Sequence, residues 1–447
     1  MSMKVVVVGA GTIGYRIAQG MSEKNKVYVI ESNPDHAAHA DELDVQTIVG
    51  SGASPAVLEK VLPADIFVAV TDSDEINLLS CLNAKLMTKD RIKTIARVSS
   101  PDYIDKPVSE KEEFGVDVIV CPELALADEI NTLLSIDGAI DAEHFADGKV
   151  RMIEFVIAED NRFIGKKFKD VSFSNYCIVS AILRRGNVII PKGEDYLMPG
   201  DHAFIICRDE DIDPVQTLFG HINEDRKEKK RVMIVGCGDI GLYLARSLDK
   251  NEKVILKILE EDSERCMEIA DRLPNSLILN SDATDVDTFE EEGVSKMDAV
   301  IALTGSDEKN LLCCLMAKHF GAGKVFARAS RPDYLPIFEM VGIDVALSTG
   351  KTTTSEVLRM AAGTSVETLR TIANEKAEVL EYIATDDSMI IDTPLKEINF
   401  PEGAIVSMIV RGMRQLVPTG DTEIERGDRV IILSKPEAYA KVSRMFK

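Results

Sequence analysis

The chain is short of positive charge. Its 52 lysines and arginines face 75 aspartates and glutamates, a formal net charge of −23. Nucleic-acid binding rests on basic side chains neutralising phosphates, so nucleic acid is not an expected partner. Long apolar runs are missing too: no stretch approaches the roughly 18 residues that span a bilayer. The first apolar strand pattern has no basic leader before it and no cleavage site near it, so the expectation is a cytoplasmic protein. The eight cysteines include no CxxC pair. That usage fits reduced thiols rather than a disulfide framework or a zinc centre. Histidine is scarce at six residues, none beside an Asp or Arg in a hydride-transfer arrangement. Other residue types also serve as general acids and bases. The scarcity therefore points away from an enzyme and leaves an NAD-dependent oxidoreductase as the alternative.

What the chain has instead is repetition, a signal that decides the fold when present. "VVVVGAGTIG" (5–14) returns as "VMIVGCGDIG" (232–241), 227 residues later. "TDSDEINLLSCLNAK" (71–85) matches "TGSDEKNLLCCLMAK" (304–318) at 11 of 15 positions, and "ARVSSPDY" (96–103) matches "ARASRPDY" (327–334) at 6 of 8. Beyond these, "IVSAILRRGNVIIPKGE" (178–194) corresponds to "IVSMIVRGMRQLVPTGD" (405–421), and "PGDHAFIIC" (199–207) to "RGDRVIILS" (426–434). A whole half is duplicated. Apolar content of 45% supplies proper cores.

Each half divides again. Val5–Val8, Val27–Ile30, Thr47–Val49, Ile66–Val70 and Thr94–Ala96 read as strands. Helical patterns near 13–23, 35–43, 55–61 and 75–88 alternate with them. That alternation predicts a Rossmann-like parallel sheet covered on both faces. After it, Met152–Ile157, Ile178–Leu183 and His202–Cys207 read as strands of a small α+β module joined by Gly and Pro turns. The fold class is thus α/β: a tandem duplication of a Rossmann-like domain plus a small α+β domain. Expected boundaries are 1–137, 138–223, 232–365 and 366–447. "NEDRKEKKR" (223–231) holds eight charges in nine residues, and a solvated linker is expected over 224–231.

Gly9, Gly11 and Gly14 follow a strand, open a helix and precede an acid, Glu31, by about 20 residues. In that context the first glycine makes the turn, the second admits a pyrophosphate and the third lets helix pack on strand. The free N–H groups of the helix end attract phosphate. Glu31 is placed to accept from ribose hydroxyls and to repel a 2′-phosphate, which favours NAD or an adenine nucleotide over NADP. Thr71, Asp72, Ser73 and Asn77 follow the fourth strand. They read as ligand contacts or as a plain helix cap. Arg97 follows the fifth strand, either as a forked phosphate donor or as a salt-bridge partner. The second half repeats the pattern with Gly236, Gly238, Gly241, Glu260 and Arg328. It places Asp239 after the second glycine, where a carboxylate competes with an incoming phosphate. Two unequal sites are expected, the first being the better one. Cys237, inside the second turn, reads as a small buried side chain or a redox thiol.

Taken together, "VVVGAGTIG", "AVTDSDEINLL", "IARVSSPDY", "MIVGCGDIG", "IALTGSDEKNLL" and the two "GD" turns at 200–201 and 427–428 resemble the TrkA family of Trk-system potassium uptake regulators. Members carry two RCK (KTN) nucleotide-binding domains, each followed by a small C-terminal domain. The resemblance covers essentially the whole chain. It implies NAD(H), with ATP/ADP beside it, as ligands, assembly into a ring, and a separate membrane subunit that conducts potassium. It also implies work at the cytoplasmic face of the membrane; regulation of a different transporter is the second alternative. By position, the implied nucleotide contacts are Gly9, Ala10, Gly11, Thr12, Ile13, Gly14, Glu31, Thr71, Asp72, Ser73 and Arg97. In the second half they are Gly236, Gly238, Asp239, Ile240, Gly241, Glu260, Gly305, Ser306 and Arg328. Gly305 stands where the first half has Asp72.

Overall fold

The computed structural model describes residues 3–22, 25–104, 115–171, 177–220, 229–350, 353–354, 357–358, 366–372 and 376–446. The linker expected over 224–231 lies outside these up to residue 228.

The four valines of the first strand explain its sheet. Val5 and Val7 face Ile17, Ala18 and Met21 of the helix Thr12–Ser22, while Val6 and Val8 face Phe67, Leu78 and Cys81 on the other side. A strand buried on both faces has no polar face to alternate with, hence the unbroken apolar run. Six such strands form the sheet: β1 (Lys4–Val8), β2 (Lys26–Glu31), β3 (Gln46–Val49), β4 (Ile66–Ala69), β5 (Lys93–Arg97) and β6 (Val118–Val120). Their order is 3-2-1-4-5-6, and every pairing is parallel. The chain direction across the sheet reverses between β1 and β4, the switch point where open α/β sheets bind ligands at their carboxyl ends. The five expected strands all form, each within one residue of the expected ends. The helix expected over 55–61 stops at Leu58. β6 and the helix Pro122–Ser135 are additional.

An antiparallel sheet follows: β7 (Ala139–Phe145), β8 (Val150–Val156), β9 (Cys177–Arg184), β10 (Asn187–Ile189) and β11 (His202–Arg208), ordered 10-9-11-8-7. The pattern then repeats. β12 (Lys230–Val235), β13 (Val254–Glu260), β14 (Leu277–Asn280), β15 (Ala299–Ala302), β16 (Lys324–Arg328) and β17 (Val345–Leu347) form a second parallel sheet, ordered 14-13-12-15-16-17. β18 (Val366–Ile372), β19 (Ala377–Ile383), β20 (Ala404–Arg411), β21 (Arg414–Leu416) and β22 (Arg429–Ser434) form a second antiparallel sheet, ordered 18-19-22-20-21.

The modules group by kind. One compact unit comprises Met1–Asn131 and Glu228–Ala361, with both parallel sheets; the other comprises Thr132–Lys227 and Ala362–Lys447, with both antiparallel sheets. In the first unit, Val357 of the second half is buried in the core of the first half, and Arg16 pairs with Asp333 at 3.0 Å. In the second unit the two sheets share one core, in which Phe145, Met152, Phe204 and Ile206 meet Val379, Met408, Ile431 and Leu433. Glu381, fully buried there, accepts from the Ala146 N–H at 3.1 Å and from Arg429 Nε at 2.5 Å.

The repeated "GD" turns close these sheets. Gly200 and Gly427 have φ of +76° and +83°, left-handed values that favour glycine. The aspartate after each is buried. Asp201 accepts from Arg184 Nε (2.8 Å) and NH2 (2.6 Å) and from the Met198 N–H (2.8 Å). Asp428 takes the same three kinds of donor from Arg411 and Glu425. A carboxylate so buried is tolerable because its lone pairs are met by a fork and an amide. Replacing Asp201 with Ala leaves the Arg184 guanidinium only Tyr196 O among the described residues and takes the acceptor from the Met198 N–H; it is expected to cost about 3 kcal/mol. Urea unfolding of the full chain, followed by far-UV circular dichroism, measures it.

Candidate functional site

The first glycine turn lies at the carboxyl end of β1. Gly9 has φ of +97°, and its N–H continues the ladder to Ile30 O at 2.8 Å. A Cβ on Gly14 would fall 1.9 Å from Gly9 O, so only glycine fits there. Gly11 differs in kind: a Cβ on it meets nothing within 4 Å. Its exposed side leaves room for a ligand rather than a packing constraint. Thr12 and Ile13 begin the helix, whose first turn carries no acidic residue.

Glu31 ends β2 beside this turn. Its Oε2 accepts from the Ala10 N–H at 2.6 Å, and its Oε1 from the Asn33 N–H at 2.8 Å and the Ser32 hydroxyl at 3.2 Å. Burial pushes the carboxyl up, but the Asn33 and Ala10 amides and Ser32 outweigh it and hold it below the usual carboxylate range. The group is therefore an anion at neutral pH, aimed at the turn.

The loops after β4 and β5 are tied by one residue. Asn77, fully buried, accepts from the Thr71 N–H (2.9 Å) and hydroxyl (2.7 Å) and donates to Thr71 O and Arg97 O, both at 3.0 Å. Ser73 caps its helix through the Ile76 N–H at 3.2 Å. Asp72 Oδ1 lies 3.1 Å from Arg97 NH1, and Glu123 Oε1 lies 3.6 Å from Arg97 NH2. Of the alternatives open in the sequence, the cap at Ser73 and the ion pair at Arg97 are the contacts present.

The second turn reproduces the backbone logic. Gly236 has φ of +84°, a Cβ on Gly241 would fall 2.5 Å from Gly236 O, and one on Gly238 meets nothing. Glu260 accepts from the Cys237 and Asp262 N–H groups at 2.7 and 3.0 Å. Asn310 repeats the hub, accepting from Thr304 N and Oγ1 and donating to Thr304 O and Arg328 O at 2.7–3.1 Å. Ser306 caps through the Lys309 N–H.

The charges do not repeat. With Gly305 in place of Asp72, Arg328 has no ion pair among the described residues; its NH1 reaches only Thr304 O, at 3.4 Å. Asp239 has Arg265 NH2 at 3.9 Å, which offsets part of its charge. Gly236, Gly238, Asp239, Ile240, Glu260 and Arg328 line a cleft of about 320 Å³ that also takes in Lys309 and, from the first half, Glu123. Lys309 is held by Glu261 at 2.7 Å. Burial pushes the Cys237 thiol up to about 12, which makes it an inert filler rather than a redox thiol.

The expected residues thus gather at two switch points, one in each half. Sequence reading missed Glu123 and Lys309. Lys309 had a signal, since it sits three residues past Ser306 on the capped helix. Glu123 had none, because its place beside the second turn depends on how the halves pack.

Comparison with known proteins gives the following. The TrkA-N domain model matches residues 5–122 and 232–349, and the TrkA-C domain model matches 152–220 and 379–447. The chain is 47% identical to Trk system potassium uptake protein TrkA homolog 1 of Methanosarcina mazei, over 100% of both chains. It is 37% identical to the Trk system potassium uptake protein TrkA homolog of Archaeoglobus fulgidus, again over 100% of both. Among solved structures, the GsuK channel bound to NAD has the same fold at a TM-score of 0.61 and 18% identity, over 100% of this chain and 79% of that one.

The two kinds of glycine separate by substitution. Gly14→Ala, against the Gly9 carbonyl, is expected to destabilise by about 3 kcal/mol. Gly11→Ala, in open space at a helix start, is expected to cost about 1 kcal/mol or less. Chemical denaturation of both variants checks the contrast.

Proposed function

The chain belongs to the TrkA family of Trk-system potassium uptake proteins, and from that premise we propose that it is the nucleotide-sensing, non-conducting subunit of a Trk-type potassium uptake system. The observation that carries this reading is the glycine turn whose middle residue, Gly11 or Gly238, opens onto free space beside a strand-end carboxylate. Such a turn offers backbone N–H groups and the positive end of a helix to a diphosphate. Glu31 then holds the adenosine ribose and disfavours a 2′-phosphate. NAD(H) and ADP/ATP are the ligands with that combination of groups. Gly9 to Gly14, Glu31, the Thr71–Ser73 turn and Arg97 form the first site. Gly236 to Gly241, Glu260, Gly305, Ser306 and Arg328 form the second.

Among the described residues, no helix is long and apolar enough to cross a membrane. The conducting path therefore belongs to a partner, on whose cytoplasmic face this chain acts. Its net charge of −23 suits the basic cytoplasmic loops of membrane proteins. Moving a two-state gate from 1:99 to 99:1 takes about 5.5 kcal/mol of differential binding. A ring of identical chains, each with two sites, divides that into the 1–3 kcal/mol typical of one coupled site. The role is regulatory, not enzymatic.

Calorimetry on the intact chain with NAD, NADH, ADP, ATP and NADP tests this. At least one of the first four binds, and NADP binds at least about tenfold more weakly than NAD, about 1.4 kcal/mol. Glu31→Gln narrows that gap at the first site, and Gly11→Val abolishes binding there while the chain stays folded. Indifference to every adenine nucleotide, alone and with the membrane subunit, overturns the reading.

A further inference from the structure

One side chain of the first half pairs with Arg97 and also borders the cleft of the second turn. Glu123 opens the helix that follows β6. Its Oε1 lies 3.6 Å from Arg97 NH2 and its Oε2 lies 3.9 Å from Cys121 Sγ. The same residue lines the cleft that holds the second turn and Arg328. At the 227-residue offset, its counterpart in the second half is Gly350. A Cβ built on Gly350 would touch Ile13 Cγ1 of the first turn at 4.0 Å. Pro332 and Ser348 of its own half are nearer, at 3.5 and 3.8 Å; only the first half puts a carboxylate at this position.

The arginines are unequal in a matching way. Arg97 is neutralised by Asp72 and Glu123. Arg328 shares the second cleft with Gly305; its NH1 reaches Thr304 O at 3.4 Å, and it has no ion pair among the described residues. The other cation lining the cleft, Lys309, is engaged by Glu261. Glu123 thus pairs with one arginine and lines a cleft with another that has no ion pair among the described residues.

We propose that Glu123 couples the two nucleotide sites of one chain negatively, by exchanging between Arg97 and Arg328. This rests on the reading that both turns take adenine nucleotides. A diphosphate on the Gly9–Gly14 turn draws the Arg97 guanidinium and deprives Glu123 of its partner. The carboxylate then swings to Arg328 and neutralises the cation that would hold phosphate in the second cleft. In the other direction, a diphosphate beside Arg328 repels Glu123 toward Arg97. That tightens the pair and keeps Arg97 from the first site's phosphate. Both routes weaken the second ligand to bind, as the reciprocity of coupled sites demands. Charges this close at a partly buried site act far more strongly than in bulk water.

The test is calorimetry of ADP on the full chain and its variants. Gly11→Val closes the first site. The second site in that variant is expected to bind ADP about tenfold more tightly than in the wild-type chain with its first site filled. In the E123Q chain the filled-site penalty falls to about twofold or less. In Gly11→Val/Arg97→Gln, where Glu123 has lost its first partner, the second site weakens even with the first empty. A merely structural Glu123 does not give those opposite signs. Two independent sites in the wild-type chain overturn the coupling, as does an E123Q isotherm identical to wild type or binding at one site only in both chains. ADP, NAD, NADH and ATP all failing to bind any variant overturns the nucleotide reading itself, and this inference with it.

Discussion

The hydrogen bond between a strand-end carboxylate and an amide of the glycine turn organises each parallel half. Glu31 Oε2 accepts from Ala10 at 2.6 Å, and Glu260 Oε2 from Cys237 at 2.7 Å. Ala10 and Cys237 are the residues between the first two glycines, so the bond fixes the turn at the point where it leaves the strand. The Gly9 and Gly236 carbonyls then lie where a Cβ on Gly14 or Gly241 would stand, and the helix packs closely on the sheet. The middle glycine is left facing outward. A turn held this way is ready for a ligand before one arrives, so little ordering cost falls on binding. Of about four acceptor positions on two oxygens, Glu31 has three filled and one open among the described residues, and Glu260 has two filled and two open. Holding the turn does not exhaust either carboxylate.

This much was legible in the sequence because its cause is local. Glycine spacing records steric clearances within six residues, and the acid about 20 residues on marks the end of the next strand. The duplication printed the signal twice. The later part of each half was harder to read. β6 and β10 are three residues long, too short for a periodicity to register. β7, "AIDAEHF", mixes charge and apolar residues without a clean alternation. The "GD" turns stood out as a repeat, but their partners did not. Arg184 and Arg411 each sit 17 positions before the aspartate they hold, and only the antiparallel pairing brings them together. Glu123 is the extreme case. It borders a cleft built from residues more than a hundred positions away, in the other half.

The two halves have kept what packing enforces and changed what it does not. Asn77 and Asn310 are both fully buried and make the same four hydrogen bonds. Losing either would leave buried backbone groups unpaired, at about 1–3 kcal/mol each. The rim charges carry no such penalty. Asp72 became or replaced Gly305, and Glu123 became or replaced Gly350, with the backbone unchanged in kind. Exposed ion pairs contribute only about 0–1 kcal/mol each, and Asp72, which pairs with Arg97, is fully exposed; the Arg97–Glu123 pair is mostly buried but long, at 3.6 Å. On the proposed reading, a ligand at either turn meets those charges at close range. A symmetric frame thus carries two chemically different mouths.

The same difference in energy scale says where a nucleotide signal can be carried. Asp201, Asp428 and Glu381 are buried pairs whose disruption costs about 3–5 kcal/mol, and the antiparallel sheets share a single core. A coupling of about 1–3 kcal/mol is too small to break either. It is large enough to re-pair side chains whose present partners are exposed or distant, such as Arg97 with Asp72 and Glu123, Asp239 with Arg265 at 3.9 Å, and Lys309 with Glu261. These pairs lie at the carboxyl edges of the parallel sheets, beside the glycine turns. The pairs weak enough to be re-formed by a coupling of that size are therefore those at the mouths of the glycine turns, while the packed cores are not.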